Sequence, residues 1–548
     1  MEVNFIRIIK FLITFILLLI AIIAFFIFYE PPIVVPEDYP TIQTAVNAAL
    51  PGDWILVKEG VYNEQVVIGS TKNNLNIIAK DKNVVLEGTG VGNAFTLNQV
   101  VNVKIQGFRI NNYDIGIFFD HVNGCLSKKN KLTNLVTAGV SIEGGSDNKI
   151  VKNKVSNSVI GFLSTVSNHN YITKNGITYN IVGIFEVSQN DIISSNKITN
   201  NSEGIFSSGK SSEIVRNHIA DNNGIGIELV DSESDKIAKN KILNNSNQGI
   251  RVTSENLNPV IIGNIIKYNN GGIEFEGTPT DPGNNNPLIK KNIISKNRND
   301  GIKTATNSCF IVKNKITKNC GNGINAPGVL EANAISNNKI ANNRRNGILI
   351  SQGNDNIINK NYIKANRLNG IQIDTGSSSN IITLNKVYKN GVNGIQFDST
   401  DTTLIRNTSS KNAEAGIVIN GINTLLTNNI TVKNGTDGIR INSNVNLITS
   451  NQSSKNKDNG IELNGSNNSV ESNITKKNKN DGIQVNGNNN VISENNSLKN
   501  KEVGIRVNGN NNLIEDNTAL NNKAFDLEDN GTGNTFINNF FETSNNIP

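Results

Sequence analysis

Three groups of side chains in this 548-residue sequence are of types that do chemistry. The first is Glu228, Arg251, Glu274, Glu276 and Lys303. Carboxylates beside an arginine or lysine supply the base and the charge stabiliser that abstraction of a sugar-ring proton requires. The plainer reading is an exposed, self-neutralising ion-pair ladder. The second group is Asp374 and Asp398, flanked by Gln372 and Gln396. Stacked carboxylates repel, so one should hold its proton more tightly, the logic of an acid/base pair in glycoside hydrolysis. Two solvated aspartates, with a divalent cation such as calcium as weak guest, are the alternative. The third is Asp120-His121 with Glu143. The histidines, His121, His169 and His218, occupy different registers of the repeat described next, so convergence on a metal is not expected. No cofactor is expected.

What must position these residues is a repeat. A Gly followed by an apolar residue recurs from Gly116 to Gly504; the last five steps are 22 residues each. The residue after the Gly is Ile except at Val140 and Phe162. An Asn follows 13 to 15 residues beyond nearly every Gly, and in most copies another five residues on, as at Asn451 and Asn456. A fixed period of about this length means a leucine-rich repeat or a parallel β-helix coil. Leucine is scarce, and short alternating runs of Ile and Val are bounded by Asn and Gly, so each copy reads as three short strands. Asn tolerates the left-handed backbone of tight turns, and stacked Asn residues bond to one another. The fold class expected is all-β: one parallel β-helix of about 20 coils, on the order of 100 Å long at about 4.8 Å per coil.

In the strand after each Gly, the Ile and the residue two later point inward. The outward columns then carry the first two candidate groups. From Gly416 on, the outer column is Asn420, Asn442, Asn464, Asn486 and Asn508, a structural ladder. The one large insertion, Thr278 to Pro287, adjoins Glu276 and would wall a groove beside the charged strip.

Residues 1–30 are different material. Phe11 to Tyr29 is an apolar run preceded by Arg7 and Lys10. A helix of that length reaches about 28 Å, close to a bilayer core. The segment reads as a retained signal anchor, a transmembrane helix with its N-terminus cytoplasmic and the rest extracytoplasmic or extracellular. Thr41 to Leu50 reads as a short helix capping the solenoid, with Ile42, Val46 and Ala49 on one face. The division expected is 1–30 anchor, 31–60 linker and N-terminal cap, 61–533 β-helix, and 534–548 C-terminal cap carrying Phe536, Phe540 and Phe541. Net charge is +6 and spread along the chain, with no basic stripe interleaved with rings, so nucleic acid is not an expected partner. Of Cys125, Cys309 and Cys320, the last two share a coil, and their pairing is left open.

The stretches Asp38-Tyr39-Pro40-Thr41-Ile42-Gln43, Pro51-Gly52-Asp53 and Gly60-Val61-Tyr62-Asn63-Glu64 resemble the N-terminal cap of the pectate lyase-like superfamily. The repeats resemble its NosD-type and carbohydrate-binding, sugar-hydrolysis coils. The resemblance covers about residues 36–548 and implies a right-handed parallel β-helix. It does not fix activity, because the architecture carries many chemistries. The Asp-Asp pair and Gly-His-Gly motif of polygalacturonases are absent, as is the Asp-Pro-His-Asp motif of alginate epimerases. The copper role of NosD-type proteins would favour Met, Cys and His ligands, and the chain has one Met.

Two functions follow as expectations. One is a membrane-anchored protein that binds or processes a polysaccharide or cell-surface glycan, lyase-, hydrolase- or epimerase-like. The other is a non-enzymatic surface rod, adhesin or NosD-like accessory protein.

Overall fold

A computed structural model describes residues 9–20, 31–253, 255–276 and 286–547. Chain contacts divide it into two compact units, Met1–Tyr171 and Ile172–Pro548. Both are built from one kind of coil. In the coil opening at Gly438 the strands are Ile439–Ile441, Leu447–Thr449 and Gln452–Ser454. We call the stacks to which they belong sheets I, II and III. Each strand pairs in parallel with its equivalents one coil earlier and later: Ile439 faces Ile417 and Ile461, Leu447 faces Leu425 and Ser469, and Gln452 faces Ile430 and Ile474. In Met1–Tyr171 the sheets begin with irregular coils, Ile33–Val35 against Trp54–Val57 in sheet II, then Gly60–Tyr62 in sheet III and Val66–Ile68 in sheet I.

The side-chain alternation sets the inside. Ile439, Ile441 and Ile448 are fully buried, while Arg440 between the first two faces out. Burial of each such isoleucine is worth about 1.5–3 kcal/mol, so a column of them provides the core's main driving force. The repeated Gly is required by close approach. A Cβ on Gly460 would lie 2.4 Å from the carbonyl oxygen of Gly482 on the next coil.

The corners are hydrogen-bonded ladders. Asn451 gives its backbone N–H to Asn473 Oδ1 at 2.8 Å and its Nδ2 to Leu426 O at 2.8 Å, while its own Oδ1 accepts the N–H of Asn429 at 2.9 Å. Asn456 repeats the pattern with Asn478 at the next corner. A further ladder, through Asn446 and Asn468, turns the corner between sheets I and II and was not anticipated. The ladder asparagines are not the left-handed residues. Those precede them: Val445 at φ 58°, Ser450 at φ 58° and Lys455 at φ 59°. Asparagine is thus placed for its amide rather than for its backbone tolerance.

The N-terminal helix is Ile42–Ala48, with Thr41 as N-cap and Thr44 completing a capping box. The carboxylate of Glu64 accepts the N–H groups of Ile42 and Gln43, each at 2.9 Å, neutralising two orphan donors at the positive end of the helix. Ile42, Val46 and Ala49 are buried as the helix packs on the first coil. At the other end Thr535–Ile537, Phe540–Phe541 and Ser544–Asn545 pair with the preceding coil, and Phe540 is 63% exposed.

The membrane anchor is overturned. Residues 9–20 are helical, and residues 21–30 of the expected span lie outside the described residues. Among the described residues no helix is long and apolar enough to cross a membrane. The transmembrane helix, membrane attachment through residues 11–29, the cytoplasmic N-terminus and the extracytoplasmic placement derived from them therefore lack support.

Candidate functional site

Sheet I carries an outward column in which Phe185, Phe206, Glu228, Arg251, Glu274 and Lys303 stand opposite one another on successive coils. Their inward neighbours are the buried column of Ile184, Ile205, Ile227, Ile250, Ile273 and Ile302, which fixes the side chains between them to the outer face. Phe185 and Phe206 stack with centroids 4.6 Å apart and planes 8° from parallel. Arg251 Nη2 donates to Glu276 Oε2 at 2.8 Å, and its Nε lies 3.6 Å from Glu228 Oε1, too far for a hydrogen bond. Lys303 Nζ donates to Glu274 Oε1 at 2.7 Å, and Gln248 Nε2 donates to the other oxygen of Glu274. Burial pushes the Glu228 carboxyl above its ordinary range, partly offset by the Arg251 charge. All five expected residues are thus gathered on one face, as an ion-pair ladder. Of the expected wall, residues 278–285 lie outside the described residues.

A hollow of about 290 Å³ opens beside this ladder, lined by Gln248, Gly271, Gly272, Glu274, Asp300 and Lys303 among others. The absent side chain at Gly271, where the adjacent coils carry Gln248 and Asp300, makes the depression. Asp300 was not singled out from sequence. It stands just before Gly301 and accepts the N–H of Asn322 at 2.6 Å and Asn325 Nδ2 at 2.7 Å. One buried polar atom of the lining, Gln248 Oε1, has no hydrogen-bond partner among the described residues. Leaving such an atom unpaired costs about 1–3 kcal/mol, which a polar ligand would recover.

The other expected groups are separate from this face. Asp374 and Asp398 follow paired strands of sheet I, in which Gln372 faces Gln396. Each is satisfied by an amide: Asp374 Oδ1 by Gln372 Nε2 at 2.6 Å, Asp398 Oδ1 by Asn420 Nδ2. Asp120 faces Glu143, and His121 Nδ1 lies 2.6 Å from Asp120 Oδ1. Among the described residues no group of three or more His, Cys, Asp or Glu is arranged to hold a metal ion. All three cysteines are free, with Cys125 and Cys309 buried and Cys320 exposed.

Sequence reasoning also missed charges turned inward. Glu186, Asp191 and Asp235 are buried together. Ser207 Oγ donates to Glu186 Oε2 at 2.6 Å and Ser212 Oγ to Oε1 at 3.1 Å, while Ser212 N–H serves Asp235 at 2.8 Å. Burial pushes Glu186 up to about 8 and Asp235 up to about 6. Further along, Arg440 binds the buried Asp437 and also Glu462 at 2.7 Å, and Arg506 repeats this with Asp481 at 2.8 Å and with Glu528. For Asp437 and Asp481 the available signal was an acid at the position before the repeated Gly, where the adjacent coils carry Ala415, Asn459 and Val503.

The sequence matches the model of a periplasmic copper-binding protein (NosD) over residues 73–258 and that of a right handed beta helix region over residues 281–421 and 393–541. It finds no match among curated proteins. Similar solved structures include a PL6 family alginate lyase, AlyGC, at 11% identity, covering 94% of this chain and 99% of that one with a TM-score of 0.42. Another is XylC in complex with xylose, at 10% identity, covering 56% and 81% with a TM-score of 0.40. A periplasmic alginate epimerase, AlgG, is similar at 16% identity, covering 69% and 83% with a TM-score of 0.28. The coils are those of a parallel β-helix, similar in sequence to the NosD and right handed beta helix models over the residues matched.

Proposed function

We propose that this protein binds polysaccharide along the outer column of sheet I. The reading rests on one observation: an aromatic pair, a charged strip and a polar hollow with one unpaired buried oxygen follow one another on successive coils. Phe185 and Phe206 offer an apolar platform for the C–H face of a sugar ring, while Gln248, Glu274 and Lys303 offer donors and acceptors for its hydroxyls. From Phe206 to Glu274 is three coils, about 14 Å at 4.8 Å each, room for an extended oligosaccharide. Four carboxylates, at Glu228, Glu274, Glu276 and Asp300, surround two cations, at Arg251 and Lys303, so this face suits neutral sugars better than uronates.

Both oxygens of Glu274 are already engaged, by Lys303 and Gln248, as are both of Asp300. Neither carboxylate is free to exchange a proton with a sugar in this arrangement, which favours holding a glycan over cleaving it. Copper does not fit: the soft donors are few, two of the three cysteines are buried, and the chain has one Met.

The test is a panel of neutral and acidic oligosaccharides titrated by calorimetry into the wild type, Phe206→Ala and Glu274→Gln, with reducing ends and unsaturated uronate monitored in parallel. A neutral glycan bound by the wild type, and at least about tenfold more weakly by Phe206→Ala, is the expected result, since a lost aromatic contact of about 1.5 kcal/mol is roughly tenfold. Binding that ignores both changes removes the reading, and turnover lost in Glu274→Gln would replace it with an enzymatic one.

A further inference from the structure

The outer face of sheet III in Ile172–Pro548 is as one-sided as sheet I is mixed. From Gly176–Thr178 to Thr518–Leu520 its strands contain no Asp or Glu, while lysines such as Lys197, Lys241, Lys315 and Lys339 project from it. The turn that leaves the sheet adds a continuous row. Lys389, Lys411, Lys433, Lys455, Lys477 and Lys499 occupy the same place on six successive coils, all exposed. None of these six lysines is in an ion pair among the described residues, whose ion pairs lie elsewhere. From Lys455 on, a second lysine follows two residues later in each coil, beginning with Lys457. The nearest acids in sequence, Glu414, Asp458 and Glu502, come later in the turn, toward sheet I.

Turn geometry does not ask for lysine here. The six have φ between 56° and 60°, the left-handed region in which Asn and Gly are favoured over long side chains. Asn157, Asn200, Asn244, Asn342 and Asn521 hold the same corner on other coils with the same backbone. Lysines whose backbones stand about 4.8 Å apart on successive coils repel one another, so neither conformation nor electrostatics accounts for the row. A linear polyanion relieves the repulsion and releases its own condensed counterions. No aromatic side chain stands on sheet III between Tyr388 and Phe540, so stacked bases have no platform. Instead Thr408, Ser410, Gln452, Ser454 and Asn496 present hydroxyls and amides beside the row.

We propose that this face is a docking surface for a linear acidic polysaccharide, with about one carboxylate-bearing sugar to each coil along the lysine row. It stands apart from sheet I and does not depend on the glycan-binding reading given there.

The experiment measures binding of the full chain to polygalacturonate, to its fully methyl-esterified form and to poly(dT), across a range of salt. The variants are Lys411→Gln/Lys433→Gln/Lys455→Gln, the same three changed to Arg, and a reference triple Lys80→Gln/Lys82→Gln/Lys152→Gln. Polygalacturonate should bind and the ester should not. With about 0.7 counterions released per neutralised charge, six lysines give a slope of log affinity against log salt near −4, and the Gln triple should roughly halve it. Affinity should fall at least tenfold in the Gln triple and hold in the Arg triple and the reference. No binding of polygalacturonate, equal loss in the reference triple, or binding of poly(dT) as tight as that of polygalacturonate overturns the proposal. Phe206→Ala should leave this binding unchanged, so failure here and failure of the sheet I reading are separable.

Discussion

Replacing Asn451 by Leu tests whether the corner ladders are a principal source of stability. The side chain gives Nδ2 to Leu426 O at 2.8 Å, Thr449 O at 3.0 Å and Asn473 Oδ1 at 3.0 Å, and its Oδ1 takes the N–H of Asn429 at 2.9 Å. Asn451 is 1% exposed, so water does not replace what is lost. Leucine is near in size, and the cost is mainly that of unsatisfied groups. One N–H and two carbonyls at about 1–3 kcal/mol each give about 3–9 kcal/mol in total. The comparison is Asn442→Leu, on the outer ladder, where Asn442 Nδ2 reaches Asn420 Oδ1 at 2.8 Å in full contact with solvent. That change should cost less than about 1 kcal/mol. Because coils interact chiefly with their neighbours, the readout is local. Hydrogen exchange followed by mass spectrometry should show accelerated exchange in the coils around residues 426 to 474 for Asn451→Leu, with distant coils unaffected. Equal effects of the two replacements would refute the reasoning, since burial would then not be what gives these amides their weight.

Two other outcomes follow from the inward charges. Burial raises Glu186 to about 8 and Asp235 to about 6, above the values of about 4 they take when unfolded, so the folded chain holds more protons than the unfolded one. Stability should therefore fall as pH rises from about 4 to about 8; Glu186→Gln should match the wild type near pH 4 and exceed it at pH 8, by at most about 5 kcal/mol. Parallel unfolding profiles for the two proteins across that window would count against it. Arg440→Met strands the buried carboxylate of Asp437 and should cost about 3–5 kcal/mol, largely restored by adding Asp437→Asn; a double variant no better than the single shows that the pair is not the unit.

Much of the fold was readable because identical residues mark identical places. The Gly–Ile pair sets the start of each sheet I strand, and the isoleucines after it are buried as the alternation required. The asparagines were legible as a ladder, but not the division of labour in which Ser450 or Lys455 takes the strained backbone and the next asparagine takes the hydrogen bonds. The strip from Glu228 to Lys303 was legible as a column. That Glu274 is shared by Lys303 and Gln248, and that the surface beside it is hollowed at Gly271, depends on side-chain conformations that spacing does not carry. The lysine face was hidden by its period. Residues 22 apart on a coil become neighbours in space, so a charge that looks dispersed in one dimension is gathered in three. The apolar run near the N-terminus misled in the opposite way: composition alone suggested a membrane span, and among the described residues no helix is long and apolar enough to make one.

Each ladder amide gives and receives along one direction, and every regular coil presents to the next the same arrangement it receives from the last. A duplicated or deleted stretch of 22 residues between Gly394 and Gly504 therefore leaves no mismatched junction in these ladders. For this part of the molecule length is an adjustable quantity, and natural variation in the gene can change coil number without inventing a new surface. What such an event cannot copy is a singular feature such as the hollow at Glu274, which belongs to one place in the series.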